Sequence, residues 1–117
     1  MEKSILISIK KLLGISKDCN DFDQDVIIHI NTVFTILRQI GIGPDSGFRI
    51  EDDKKTWDDF INNDEYLDDV KTYIYLKVRL IFDPPLNSSV TEAMKQTISE
   101  LEWRLNIDAE SNKEVSN

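Results

Sequence analysis

Apolar positions recur at intervals of three and four along most of the 117 residues, the spacing that lines one face of an α-helix. Ile5, Leu6, Ile9, Leu12 and Leu13 predict a short first helix, and Gly14 stands where a left-handed residue would end it. The polar stretch Ser16 to Asp21 breaks the pattern with side chains suited to turns, and Asp23 and Asp25 favour the positive dipole end of the next helix. Val26, Ile27, Ile30, Val33, Phe34, Leu37 and Ile40 predict a second helix of about five turns, ending at Gly41. Ile42 to Gly47 is dense in turn formers, and Phe48-Arg49-Ile50-Glu51 is the one stretch with strand-like alternation, a short strand or extended loop. Thr56 with Asp59 three residues on forms a capping box for a short helix carrying Trp57, Phe60 and Ile61.

A third main helix is expected from Glu65 to Phe82, capped by Asp64. Its apolar residues wrap most of the circumference, as in a central, buried helix. Asp83-Pro84-Pro85 ends it, because proline lacks the amide donor and the residue before it avoids the α region. Ser89-Val90-Thr91-Glu92 reads as a capping box opening a last helix with the stripe Val90, Met94, Ile98, Leu101, Leu105. The fold class expected is therefore all-α, a small bundle of four to five helices with one short extended segment. Residues 1–107 are expected to form a single domain. Residues 108–117 are too polar to bury and are expected as a disordered tail.

Length and composition fit that picture: a domain of this size buries roughly two-thirds of the surface its unfolded chain exposes and needs no staple. The single cysteine, Cys19, supplies no intramolecular disulfide, as suits a reducing compartment. Charge adds a regional feature. Glu51 to Asp69 holds nine acids against Lys54 and Lys55, a local net of −7, whereas the formal charge of the whole chain is −8. Backbone affinity for nucleic acid comes from Lys and Arg displacing counterions, so this balance argues against a general nucleic-acid binder. No apolar run reaches the roughly 18 residues of a transmembrane helix. The apolar start after Lys3 is interrupted by Lys10-Lys11 and lacks a small-residue cleavage site, so it reads as mature protein rather than as a signal peptide.

Candidate chemistry is sparse. Cys19 and His29 are each alone, with no activating or orienting partner in the sequence, and a structural zinc site wants four Cys or His ligands. Counted as a calcium loop from Asp21, the sixth position is Val26 rather than glycine and the twelfth is Thr32 rather than glutamate, so capping explains these acids better. Gly41, Gly43 and Gly47 follow a helix, not a strand, and no lysine completes a phosphate loop. Pro44-Asp45 with Asp52 and Lys54 resembles the sparse signature of metal-dependent nucleases, but that chemistry is mounted on adjacent strands, which this chain does not offer. Trp57 and Trp103 as base-stacking platforms would need a basic groove, and Trp57 is followed by Asp58 and Asp59; core or protein-interface roles suit them better. Lys3, Lys10 and Lys11 would give the first helix only weak affinity for a membrane surface. No catalytic residue, metal site or cofactor is assigned.

Three stretches carry a family resemblance: Ile9-Lys10-Lys11-Leu12-Leu13-Gly14-Ile15-Ser16 with the Asp-rich turn after it; Ile42-Gly43-Pro44-Asp45-Ser46-Gly47-Phe48 leading to Trp57 and Phe60; and Tyr73 to Pro85, with its Lys-Val-Arg-Leu-Ile-Phe-Asp-Pro-Pro run, completed by Glu102-Trp103-Arg104. In order and spacing these resemble the small helical head-tail connector, or adaptor, proteins of tailed bacteriophages. The resemblance covers most of residues 1–107. It implies a non-enzymatic component of the virion neck, assembled from subunits in the host cytoplasm, that forms a homo-oligomeric ring beneath the portal protein. Its far face would meet the next neck or stopper protein, and double-stranded DNA would be passing cargo. Acids facing the bore would repel DNA phosphates, which makes Asp52, Asp53, Asp58, Asp59, Asp68 and Asp69 the candidate channel-facing or interface residues. A second reading is a cytosolic helical regulatory or chaperone-like protein that binds a partner protein through its acidic face.

Overall fold

The computed structural model describes residues 3–62 and 66–115, the last four of them as backbone. Five helices follow one another: α1 (Ile5–Leu12), α2 (Asp23–Ile40), α3 (Trp57–Phe60), α4 (Leu67–Phe82) and α5 (Ser88–Val115). No strand occurs among the described residues. Phe48 to Glu51 is an extended loop, and the one β-type pairing is an isolated antiparallel bridge between Ser4 and Thr56.

α2 and α4 pack against each other at the centre, as the all-round apolar sequence of α4 implies. α1 and α5 each pack on both of them. The core gathers Ile5 and Ile9 from α1, Ile30, Phe34 and Leu37 from α2, Tyr73, Ile74 and Val78 from α4, and Leu101 and Leu105 from α5. Two contacts fix the direction of the layers. Lys10 near the end of α1 meets Asp23 at the start of α2, and the Phe22 ring packs edge-on against Phe82 at the end of α4, with centroids 5.6 Å apart. One end of the bundle thus joins the end of α1, the start of α2, the end of α4 and the connection to α5.

The ends of the helices follow local rules. Gly41 closes α2 at φ 106°, a left-handed conformation that strains any residue with a Cβ. Gly14 follows α1 at φ 82°. α5 is capped not by Ser89, as its sequence suggests, but by Asn87, whose Oδ1 accepts the Ser89 amide at 2.8 Å and the Val90 amide at 3.4 Å. The helix begins two residues earlier than that box implies, at Ser88 rather than Val90, and Val90 is exposed rather than part of the buried stripe. The expected cap at Asp64 lies outside the described residues.

The far end of α5 departs from the sequence expectation as well. The helix does not stop at Ile107 but runs on to Val115. Its 28 residues span about 42 Å, close to the 45 Å long dimension of the molecule. Ala109 explains part of the extension: it is buried, and a Cβ at Gly41 would stand 3.2 Å from its own Cβ. A small residue opposite a glycine lets the two helices touch there, an apolar anchor within a polar segment.

Candidate functional site

Residues 50–60, the first part of the acidic segment, form an arch held at both feet. At its start, the side chain of Asn31 on α2 brackets the backbone of Ile50, its Nδ2 donating to the Ile50 carbonyl at 2.9 Å and its Oδ1 accepting the Ile50 amide at 2.8 Å. Ile50 itself is fully buried. At the other foot, Trp57 and Phe60 are buried, and the Trp57 indole donates to Ser8 Oγ at 3.2 Å. Two backbone bonds tie this foot to the start of α1, from the Ile5 amide to the Lys55 carbonyl at 3.0 Å and from the Trp57 amide to the Lys3 carbonyl at 3.2 Å. Behind the arch the rings of Phe34, Phe48 and Phe60 pack together, with centroids 4.7–5.2 Å apart. Gly43 belongs to the same packing, since the Phe60 ring occupies the place where a Cβ would be.

Between the feet, Glu51 to Lys55 are all exposed. The six candidate acids fall into two groups. Asp52 turns the loop by accepting the Lys54 amide at 2.9 Å. Asp59 closes the α3 capping box, accepting the Thr56 amide at 2.8 Å and the Thr56 hydroxyl at 3.2 Å. The backbone amide of Thr56, then its hydroxyl, hold the Asp59 carboxyl below its ordinary value. Asp69 lies 3.7 Å from Arg104 of α5 in a half-exposed pair, too open to contribute much to stability. Asp53, Asp58 and Asp68 are exposed and take part in no ion pair among the described residues. The ammonium of Lys71 sits 5.3 Å above the Trp57 ring, which brings the first turns of α4, with Asp68 and Asp69, beside α3.

The opposite end of the bundle has another character. Leu12, Phe22, Ile81, Leu86 and Val90 gather around the helix ends there and are five of the eight large apolar side chains strongly exposed among the described residues. Leu86, held after Pro84-Pro85, is 106% exposed. In the same quarter Lys10 is almost completely buried, its ammonium 2.8 Å from Asp23 Oδ1 and donating to the carbonyls of Cys19 at 2.7 Å and Lys17 at 3.4 Å. That corrects its reading as a surface charge of α1. The sequence shows Lys10 only as one lysine of a pair, and nothing in its spacing distinguishes it from the exposed Lys11.

Other residues weighed in the sequence are dispersed. Cys19 is half-buried in the turn before α2, while His29 lies part-exposed on that helix. Trp103 is 65% exposed on α5, unlike Trp57. Asp45 lies in the turn whose carbonyl accepts from Arg38 Nε at 2.9 Å. Among the described residues no three His, Cys, Asp or Glu side chains gather as metal ligands, and no helix is long and apolar enough to cross a membrane.

Among the described residues an acidic arch stands toward one end of the bundle and exposed apolar side chains stand at the other. Comparison with protein families gives that architecture its place: the model described as phage connector protein matches residues 5–112. The chain belongs to the phage connector protein family. The match covers α1 to α4 and α5 as far as residue 112, and so includes Ala109. The family is structural rather than enzymatic, and its members act in the assembly of the phage particle. No curated protein and no solved structure matches this connector.

Proposed function

We infer that this connector forms a ring beneath the portal in the virion neck, without enzymatic activity, and that it presents its far face to the next neck protein while the genome passes through. The observation that carries this reading, beside family membership, is the segregation of surface chemistry between the two ends. Exposed apolar side chains at helix ends suit protein contacts that are buried on assembly. Acids fixed on a stiff frame suit a surface passed by DNA, because they repel phosphates without collapsing onto them. Asp53, Asp58 and Asp68 are the best placed of the six candidates, since they take part in no ion pair among the described residues. Asp52 and Asp59 have local duties and Asp69 has Arg104, so these three contribute charge but serve the frame as well.

The test is cosedimentation and electron-microscope imaging of the chain mixed with portals from the same genome and with DNA-filled capsids. An added ring below the portal is the expected result. Absence of binding to intact portals would overturn the reading in favour of a cytosolic partner-binding protein. The channel placement is tested separately by Asp53→Lys with Asp58→Lys, which is expected to slow DNA ejection or leave DNA bound in the neck. Unchanged packaging and ejection would remove those acids from the bore.

A further inference from the structure

Rings are built from heterologous contacts, in which one patch of a subunit fits a different patch on its neighbour and the rotation closes. Two features of this chain match as such a pair. The first is a projection: Leu86 is fully exposed, follows two prolines that restrict the backbone, and stands three residues after exposed Asp83. The second is a depression of about 310 Å³ lined by Ile7, Lys11, Ile15, Ser16 and Lys17, mainly apolar in its lining and with two lysines among its walls. Such a volume is at the lower limit for a small-molecule site and is large enough to admit an aliphatic side chain.

We propose that Leu86 of one copy of this chain inserts into the Ile7–Ile15 depression of the next copy, with Asp83 facing Lys11 and Lys17. Three observations support this occupant. The shapes and polarities correspond, an exposed apolar knob and an apolar hollow. The charges correspond, acid three residues before the knob and lysines among the walls of the hollow, so wrong pairings of like features are repelled. The positions also correspond. α1 and α5 pack on the same pair of helices, α2 and α4, and not extensively on each other, so α1 and the approach to α5 lie on different sides of that pair. Yet the end of α1 and the end of α4 lie at the same end of the bundle, through Lys10–Asp23 and Phe22–Phe82. Features on different sides at one height are what a neighbour related by rotation without translation requires, and that is the condition for a closed ring rather than a filament. Leu86 is then the anchor of the contact and the charged side chains of the contact exclude water around it.

This inference rests on the ring reading above, and the experiment separates the two. In the full chain carrying Cys19→Ser, Leu86→Cys and Ser16→Cys are introduced singly and together, mixed with portals from the same genome, and oxidised mildly. The paired variant is expected to give a ladder of covalent multimers and each single variant none. Leu86→Asp, which changes a fully exposed side chain and is expected to leave the melting temperature unmoved, should lower ring occupancy at least tenfold. Asp83→Lys should weaken rings, with recovery when Lys11→Asp and Lys17→Asp are added. Rings that form without any cross-link in the paired variant would overturn the contact and leave the ring reading standing. Failure of the unmodified chain to assemble on intact portals would overturn both.

Discussion

The Lys10 corner and the Glu51–Lys55 arch handle charge in opposite ways. At Lys10 a single ammonium is withdrawn from water and surrounded by three oxygens, from Asp23, Cys19 and Lys17. Along the arch, charge is held in water on a frame whose bonds are mostly uncharged: Asn31 to Ile50, Trp57 to Ser8, and amide to carbonyl at α1. Desolvating a cation is costly and is offset only when its donors are satisfied, so the first arrangement makes the fold depend on one charge. The second leaves the fold largely independent of its charges, with Asp52 in its turn and Asp59 in its capping box as the exceptions. Asp53 and Asp58 are then free to be set by what they meet outside the molecule.

The largest expected effect follows from the buried cation. Lys10→Met keeps the aliphatic stem but strips Asp23 and two carbonyls of their donor, and is expected to destabilise the chain by about 3 kcal/mol in urea unfolding. This is at the low end of the range for a broken buried pair because Asp23 keeps some contact with water. A loss under about 1 kcal/mol would erase the contrast. Next in size is the frame of the arch. Asn31→Ala leaves the Ile50 amide and carbonyl without partners at a fully buried residue, and is expected to cost about 2 kcal/mol. It should also raise amide exchange from Ile50 through Lys55 while sparing the centre of α4.

These two residues also mark where sequence reasoning stops. Gly41, the Thr56–Asp59 box and the Asp83-Pro84-Pro85 stop were legible because they act within a few residues of themselves, through left-handed φ, a local carboxylate and a missing amide. The buried faces of α2 and α4 were legible from periodicity. Lys10 and Asn31 act on backbone brought to them by the fold, Lys10 across a turn and Asn31 over 19 positions, and a polar residue on a helix carries no mark of such a partner. Asn87 takes the cap that Ser89 also offered, and both are ordinary capping residues that the sequence does not rank. The extension of α5 past Ile107 rests in part on one alanine matched to one glycine, far too small a signal for an amphipathic pattern. For the site, the acids were legible as a cluster, but not which were engaged: Asp59 and Asp69 have partners, while Asp53 and Asp58 take part in no ion pair among the described residues.

A smaller effect distinguishes the charged member of the frame from its uncharged ones. The Asp59 carboxyl has its folded-state value below the ordinary 3.8, chiefly through the Thr56 amide. A depressed acid contributes stability that is present above the unfolded value and is lost as pH falls through the folded one. Wild type is therefore expected to exceed Asp59→Asn in melting temperature near neutrality, with the difference shrinking as pH falls below about 4. The Asn31 contribution should persist through the same range. A difference between wild type and Asp59→Asn that stays constant down to strong acid would assign the effect to packing rather than to charge.

The smallest expected effect is the most informative about function. Asp53→Lys and Asp58→Lys remove two negative charges and add two positive ones within the arch, yet each site is exposed and in no ion pair among the described residues, so the stability change should stay within about 0.5 kcal/mol per site. Relief of repulsion among neighbouring acids could even make the change favourable, since Glu51 to Asp69 carries a net −7. What should change is the response to polyanions. The doubly reversed chain is expected to retain DNA at low salt and release it as salt rises, the dependence that counterion release gives to phosphate contacts, whereas the wild-type chain should retain none at any salt. A large loss of stability would place these acids with Lys10 as parts of the fold. An intact fold that has gained salt-dependent DNA retention would show that the arch carries its charge for what passes it.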